Sequence, residues 1–205
     1  LPGIPGIEDF QGHSFHTSRW DYAYTGGDHR GDLIGLADKR VAIIGTGATA
    51  IQCVPHVGRH ARSLHVFQRT PSSVDLRGNK PTDSDWAKSL APGWQRARRH
   101  NFADIVEGRP FQEDLVNDGW TDIFRNLTGI AAKTASTKLG RRLTRAERAQ
   151  LMEMADYKKM EAVRRRADDT IDDPALAERL KPWYRQFCKR PCFHDDYLPT
   201  FNRPN

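Results

Sequence analysis

The stretch Arg40-Val41-Ala42-Ile43-Ile44-Gly45-Thr46-Gly47-Ala48-Thr49-Ala50 decides the fold of this chain. Its first five residues are a short apolar, partly β-branched run, the pattern of a buried parallel strand. The strand runs straight into a glycine turn, then into a helical pattern with Ile51, Val54 and Val57 on one side. Pro55 is expected to bend that helix and Gly58 to stop it. A second strand is expected at Ser63-Leu64-His65-Val66-Phe67. Strand, turn, helix and strand in so short a span make a βαβ unit, because parallel strands need a crossover between them.

Gly45-x-Gly47-x-x-Ala50 has the spacing of the dinucleotide fingerprint, and each position has a mechanical reason. Gly45 permits the tight turn, Gly47 lets a pyrophosphate approach the backbone, and Ala50 lets the helix pack closely on the strand. The helix N-terminus then offers N–H groups and a positive dipole end to the phosphates. The motif lies between a strand and an apolar-faced helix, the context that gives it meaning. The end of the second strand selects the dinucleotide. An NAD site places Asp or Glu about 20 residues on, to hold the ribose 2′-hydroxyl. This chain has Gln68-Arg69-Thr70 there and no carboxylate until Asp75. A guanidinium fork and a hydroxyl suit a 2′-phosphate, so the expected cofactor is NADP(H). The candidate cofactor-binding residues are Gly45, Thr46, Gly47, Ala48, Thr49, Ala50, Gln52, Arg69 and Thr70.

Around this unit the 205-residue chain changes character. Residues 1–12 read as extended linker, since Pro2 and Pro5 disfavour helix before them. Residues 21–38 are rich in Gly and Asp and read as loop with short pieces of structure. From about residue 82 to 187 Arg and Lys become frequent and helix signals dominate. Thr144-Arg145-Ala146-Glu147 is a capping box, followed by Leu151, Met154, Tyr157 and Met160 at near-helical spacing. Met152, Met154 and Met160 are expected to be packing residues. Asp173-Pro174 is a second helix start. The expected fold is α/β, a Rossmann-like domain with a three-layer parallel sheet and a large helical insertion. Its parts are a linker over 1–21, a nucleotide-binding core over 22–81, the insertion over 82–187 and a return segment over 188–205.

The net charge of +6 favours anionic partners. No apolar run approaches the roughly 18–20 residues that span a bilayer, and no secretory signal is visible. The expectation is a soluble, cytoplasmic protein. Its three cysteines suit neither a disulfide framework nor a zinc site. His13 and His16 lie in a linker, so no metal site is expected. The sequon Asn126-Leu127-Thr128 has no meaning in a cytosolic protein. Arg141-Arg142, Arg145, Arg148 and Arg164-Arg165-Arg166 raise the alternative of a basic nucleic-acid-binding module. Interleaved acidic residues make a salt-bridged helix surface the better reading, and no nucleic-acid or membrane partner is expected. The chain starts at Leu1 without methionine and stops at Asn205 with no closing element, so it is expected to be part of a longer protein.

Two further segments carry a family resemblance. Phe10-Gln11-Gly12-His13-Ser14-Phe15-His16-Thr17-Ser18-Arg19-Trp20-Asp21 resembles the fingerprint F-x-G-x-x-x-H-x-x-x-W-[P/D] of type I Baeyer–Villiger monooxygenases, flavoproteins that use FAD and NADPH. Phe10, Gly12, His16, Trp20 and Asp21 are its fixed positions here. Cys188-Lys189-Arg190-Pro191, with Asp196-Tyr197 and Phe201-Asn202-Arg203, resembles the family's stretch that returns toward the flavin. The resemblance implies that Lys189 helps hold the 2′-phosphate and that Arg190 is an active-site arginine. It also implies an FAD domain elsewhere in the same chain, with O₂ and a ketone as the other reactants. Hydride would pass from NADPH to FAD, and one oxygen atom would be inserted beside the ketone carbonyl to give an ester or lactone. Arg190 would support hydride transfer and stabilise negative charge as oxygen is activated. His16 and Trp20 would couple domain positions rather than touch substrate. A fragment without the flavin site would be inactive alone. The alternative within flavin enzymes is an N-hydroxylating or sulfur-oxidising monooxygenase.

Overall fold

The computed structural model describes residues 3–127 and 136–205. Thr128, the last residue of the sequon, and the start of the N-terminal linker lie outside the described residues. The chain divides into two compact units, Leu1–Thr70 with Thr200–Asn205, and Pro71–Pro199.

The first unit is built on the expected strand–helix–strand. β1 (Arg40–Ile44) and β2 (Ser63–Phe67) pair in parallel, with Val41 opposite Leu64, Ile43 opposite Val66 and Ile44 opposite Phe67. Between them runs α2 (Ala48–His60), preceded in the chain by the short α1 (Tyr22–Thr25). Val41, Ile43 and Leu64 point to one side and pack against Leu33, Leu36, Val57 and Ala61, with Trp20 closing the cluster. That burial of aliphatic side chains, about 1.5–3 kcal/mol for each one fully removed from water, fixes which face of the pair turns inward.

Gly58 does not stop α2, which continues unbroken through Pro55 and Gly58 to His60. Its lack of a side chain serves close approach instead, since a Cβ there would lie 2.7 Å from Thr200 Cγ2. The segment after Thr200 uses that approach to satisfy carbonyls at the helix end. Arg203 Nε donates to Gly58 O at 2.8 Å, and Asn205 Nδ2 donates to both Gly58 O and Ala61 O. Asn205 O accepts from Leu64 N–H at 2.8 Å, tying the same segment to β2.

The second unit is mostly helical: α3 (Ser84–Ser89), α4 (Trp94–Val106), α5 (Gly119–Leu127), α6 (Arg145–Thr170) and α7 (Pro174–Leu180). The capping box at Thr144 and Glu147 forms with both reciprocal hydrogen bonds, and Asp173 caps α7 with Pro174 at its first position. Met160, Val163 and Ala167 give α6 its buried face. Met152 and Met154 are exposed, against expectation, at 49% and 67%. The reason is geometric. Steps of three residues drift by roughly 60° per step on a helix of 3.6 residues per turn, so Leu151, Met154, Tyr157 and Met160 spread over about half the circumference.

Two short strands absent from the sequence reading, β3 (Val74–Asp75) and β4 (Cys192–Phe193), pair in parallel within this unit. Arg166 locks them by donating to Val74 O, His194 O and Asp195 O. Lys159 bridges Asp75 and Asp122 at 2.7 and 2.8 Å. Asp195 gathers the N–H groups of Arg77, Gly78 and Asn79 at 2.8–2.9 Å. Burial pushes the Asp195 carboxyl up, but these donors and the nearby Arg166 guanidinium outweigh it and hold it below the usual carboxylate range. A depressed native value stabilises the fold above the ordinary carboxylate range, and that contribution is lost as pH falls through the native value. Asp195→Ala should therefore cost about 1–3 kcal/mol at neutral pH, read by denaturant unfolding. The gap to the parent protein should narrow as the pH is lowered toward 3.

Candidate functional site

The glycine turn lies where β1 ends and α2 begins. Gly45 has φ +101°, in the region where a side chain is strained, so glycine is required there by backbone geometry. Its N–H donates to Phe67 O at 2.8 Å, fastening the turn to the end of β2. Gly47 is the N-cap of α2 and has no side chain to occupy the first-turn N–H groups. A Cβ at Gly45 or Gly47 would meet nothing within 4 Å, so the turn opens onto clear space. Ala48 and Thr49 on the first turn of the helix and Gln52 just beyond it are exposed, while Ala50 is buried. This is a helix N-terminus with bare backbone facing outward, the arrangement that holds phosphate groups.

Parallel pairing of Ile44 with Phe67 brings the glycine turn and the segment after β2 to one edge of the strand pair. Arg69 stands exposed at that edge, and Thr70 is half-buried beside it in the chain. Thr46, which is buried, reaches across with its Oγ1 3.4 Å from Thr70 O. The sequence marks Thr46 as a candidate cofactor-binding residue but gives no sign of this contact with Thr70. The fold makes it a link between the turn and the Arg69–Thr70 segment.

Lys189 and Arg190 belong to the second unit. Lys189 Nζ lies 5.7 Å from the centre of the Tyr184 ring, and Arg190 is exposed. Phe187, just before them, has φ +63°, a conformation that for a bulky residue costs on the order of 1–3 kcal/mol. Gln186 N–H and its side-chain amide are both held by Asp156 Oδ1.

The fingerprint segment forms a small ordered cluster in the first unit. His16 Nδ1 accepts from Ser18 N–H and lies 2.7 Å from Ser18 Oγ, capping a turn of 3₁₀ helix. Trp20 Nε1 donates to Thr25 Oγ1 at 3.0 Å, and that hydroxyl donates on to Asp21 O. Asp21 caps α1 through Tyr24 N–H and lies 2.9 Å from His13 Nε2. Gly12 is tight against Phe10, whose ring a Cβ would meet at 2.4 Å, and Phe10 itself is 63% exposed. Thr25, buried to 1% exposure, was missed by the sequence reading, since a lone threonine carries no motif signal.

Several arginines of the basic run are committed internally. Arg164 is buried, donates to Pro182 O and stacks 4.5 Å from the centre of the Trp183 ring. Arg166 is spent on the carbonyls of Val74 in β3 and His194 just after β4, and Arg141 pairs with Glu147. Among the described residues no group of three or more His, Cys, Asp or Glu could hold a metal ion. No helix among them is long and apolar enough to cross a membrane.

An α/β chain with parallel strands joined through an open glycine turn is the class this geometry defines. No protein-family model matches the chain. It is 60% identical over its whole length to a Baeyer–Villiger monooxygenase, ATR8, of Stachybotrys chlorohalonatus, covering 32% of that protein. It is 55% identical to neopentalenolactone D synthase of Streptomyces avermitilis, covering 34%. Among solved structures, the polycyclic ketone monooxygenase of Thermothelomyces thermophila aligns with all of the chain at a TM-score of 0.80 and 41% identity, over 33% of its own length. OTEMO in complex with FAD and NADP aligns at 0.68 and 25% identity, over 38% of its length. The chain is thus a homologue, end to end, of part of the Baeyer–Villiger monooxygenases, and it spans about a third of the length of the curated relatives it matches.

Proposed function

We propose that this chain is the NADP(H)-binding, Rossmann-type part of a flavin-dependent Baeyer–Villiger monooxygenase, which uses NADPH and O₂ to convert ketones to esters or lactones. The observation that carries this reading is the open glycine turn at the head of α2, at the same strand edge as Arg69 and Thr70. The strand pair described here would be part of a larger three-layer parallel sheet. The OTEMO complex supports the cofactor pair, since it holds both FAD and NADP.

The residues divide the work by chemistry. Gly45 and Gly47 bring bare backbone to the pyrophosphate, with Thr46, Ala48, Thr49 and Gln52 around it and Ala50 seating the helix on β1. Arg69 presents its fork to the 2′-phosphate, Thr70 adds a hydroxyl, and Lys189 adds a second cation. Arg190, permanently charged, stabilises negative charge near the flavin. Phe10, Gly12, His16, Trp20 and Asp21 order the linker that leads into the nucleotide-binding unit. FAD, bound mainly by parts of the protein outside this chain, supplies the redox and oxygen chemistry.

The full-length protein loaded with FAD should consume NADPH faster when a cyclic ketone is added and release the corresponding lactone, detected by gas chromatography. NADPH consumption coupled to amine or sulfide oxidation, with ketones inert, would move the protein to the N- or S-oxidising branch. Failure to bind any nicotinamide nucleotide would overturn the reading of the glycine turn.

A further inference from the structure

The segment Gln68-Arg69-Thr70 is fastened to the glycine turn at both of its ends, by contacts that lie wholly within the first unit. Just before it, Gly45 N–H donates to Phe67 O at 2.8 Å. At its far end, Thr46 Oγ1 donates to Thr70 O at 3.4 Å. Two adjacent residues of the turn therefore bracket the three residues that follow β2. Thr46 is only 6% exposed, so its hydroxyl is withdrawn from water and satisfied by protein. Arg69, inside the bracketed segment, is exposed. The turn leaves clear space beside Gly45 and Gly47, while the one buried side chain between them reaches across to the Arg69–Thr70 backbone.

We propose that Thr46 is a positioning residue for nucleotide selection. Its hydroxyl holds the Arg69–Thr70 backbone in place beside the glycine turn, and so favours a dinucleotide that carries a 2′-phosphate. The proposal rests on the roles given above to Arg69 and Thr70. Its physical basis is preorganisation. Arg69 is a long side chain on a segment outside the strand ladder, and disorder in its backbone must be removed when a phosphate is gripped. The Gly45–Phe67 bond fixes where the segment leaves β2, and the Thr46–Thr70 bond fixes where it ends. Threonine suits this task, since branching at Cβ restricts χ1 and keeps the hydroxyl aimed. The pyrophosphate is common to NADP⁺ and NAD⁺, so a side chain acting on it would serve both alike. Acting through Thr70 and Arg69, the Thr46 side chain serves only the phosphorylated one.

The test is calorimetric titration of the full-length, FAD-loaded protein with NADP⁺ and with NAD⁺. Thr46→Val, which keeps the branched shape and removes the donor, should weaken NADP⁺ about threefold to tenfold and leave NAD⁺ unchanged. Thr46→Ser, which keeps the hydroxyl, should retain most of the preference. In an Arg69→Ala background, adding Thr46→Val should weaken NADP⁺ no further. Equal weakening of both nucleotides by Thr46→Val, or weakening of neither, would overturn the proposal, and so would full additivity with Arg69→Ala. A preference lost in Arg69→Ala but intact in Thr46→Val overturns only the threonine's role. Unaltered protein that binds both nucleotides equally, or a preference that survives Arg69→Ala, overturns the role of Arg69 and the proposal with it. Should Thr46→Val unfold below the assay temperature, Thr46→Cys, whose thiol is a weak donor, is compared with Thr46→Ser. A selective loss of NADP⁺ in the cysteine variant alone supports the proposal, and matching behaviour of the two variants sinks it.

Discussion

Arg69→Ala is expected to erase most of the preference for NADPH over NADH, a loss of roughly 10- to 150-fold. The size follows from one charge-assisted hydrogen bond, worth about 1.5–3 kcal/mol, at about 1.4 kcal/mol per decade of affinity. The side chain is exposed at the end of β2, so its removal disturbs no packing and stability should change by less than about 0.5 kcal/mol. NADH has no 2′-phosphate, so its affinity should hold. Titration of nucleotide fluorescence with the full-length protein measures both constants. A parent protein that binds the two nucleotides equally would remove the 2′-phosphate from Arg69.

Gly47→Ala should produce the opposite signature, an equal loss for both nucleotides. Gly47 has φ −72°, a value open to any residue, and its added Cβ would meet no protein atom within 4 Å. The fold should therefore tolerate the change at a cost of about 1 kcal/mol or less, that of a poorer N-cap. The same empty space is where the pyrophosphate lies in the proposed mode of binding. A methyl group there forces an overpacked contact of about 1–3 kcal/mol, or roughly 5- to 150-fold weaker binding of NADP⁺ and NAD⁺ alike. A thermal melt shows whether the fold survives, and the titration shows whether the site does. Unchanged affinity with an intact fold would mean that the pyrophosphate does not approach this turn. Together the two variants distinguish a nucleotide site that reads the phosphate from a glycine turn that is only a turn.

Local signals carried far in this chain because they act over a few residues. The βαβ unit was legible from β-branched residues at 41–44, from the glycine spacing and from the apolar stripe of α2. The helix starts at Thr144 and Asp173 were legible because a cap is a contact between neighbours two or three residues apart. Met152 and Met154 of α6 were misread for a complementary reason, while Met160 packs as expected. A helix shows its buried face only when the partner surface is known, and three-residue spacing alone does not define a stripe. Gly58 was misread because a helix-stopping glycine and a close-packing glycine look alike until Thr200 is placed beside it.

The sequence by itself determined the strand–turn–helix–strand, the cofactor-type motif, the replacement of an acidic residue by Arg69 and Thr70, and the fingerprint around His16 and Trp20. Each rests on short-range geometry, where the backbone's few allowed conformations translate residue type directly into shape. Only the tertiary structure decided that β3 pairs with β4 across more than a hundred residues, and that Arg166 and Asp195 secure that pairing. It alone joined Thr46 to Thr70 and Tyr184 to Pro71 and Ser73. Such contacts close long loops, and their hydrogen bonds satisfy buried backbone groups that no local pattern announces, so they come into view only once the chain is folded.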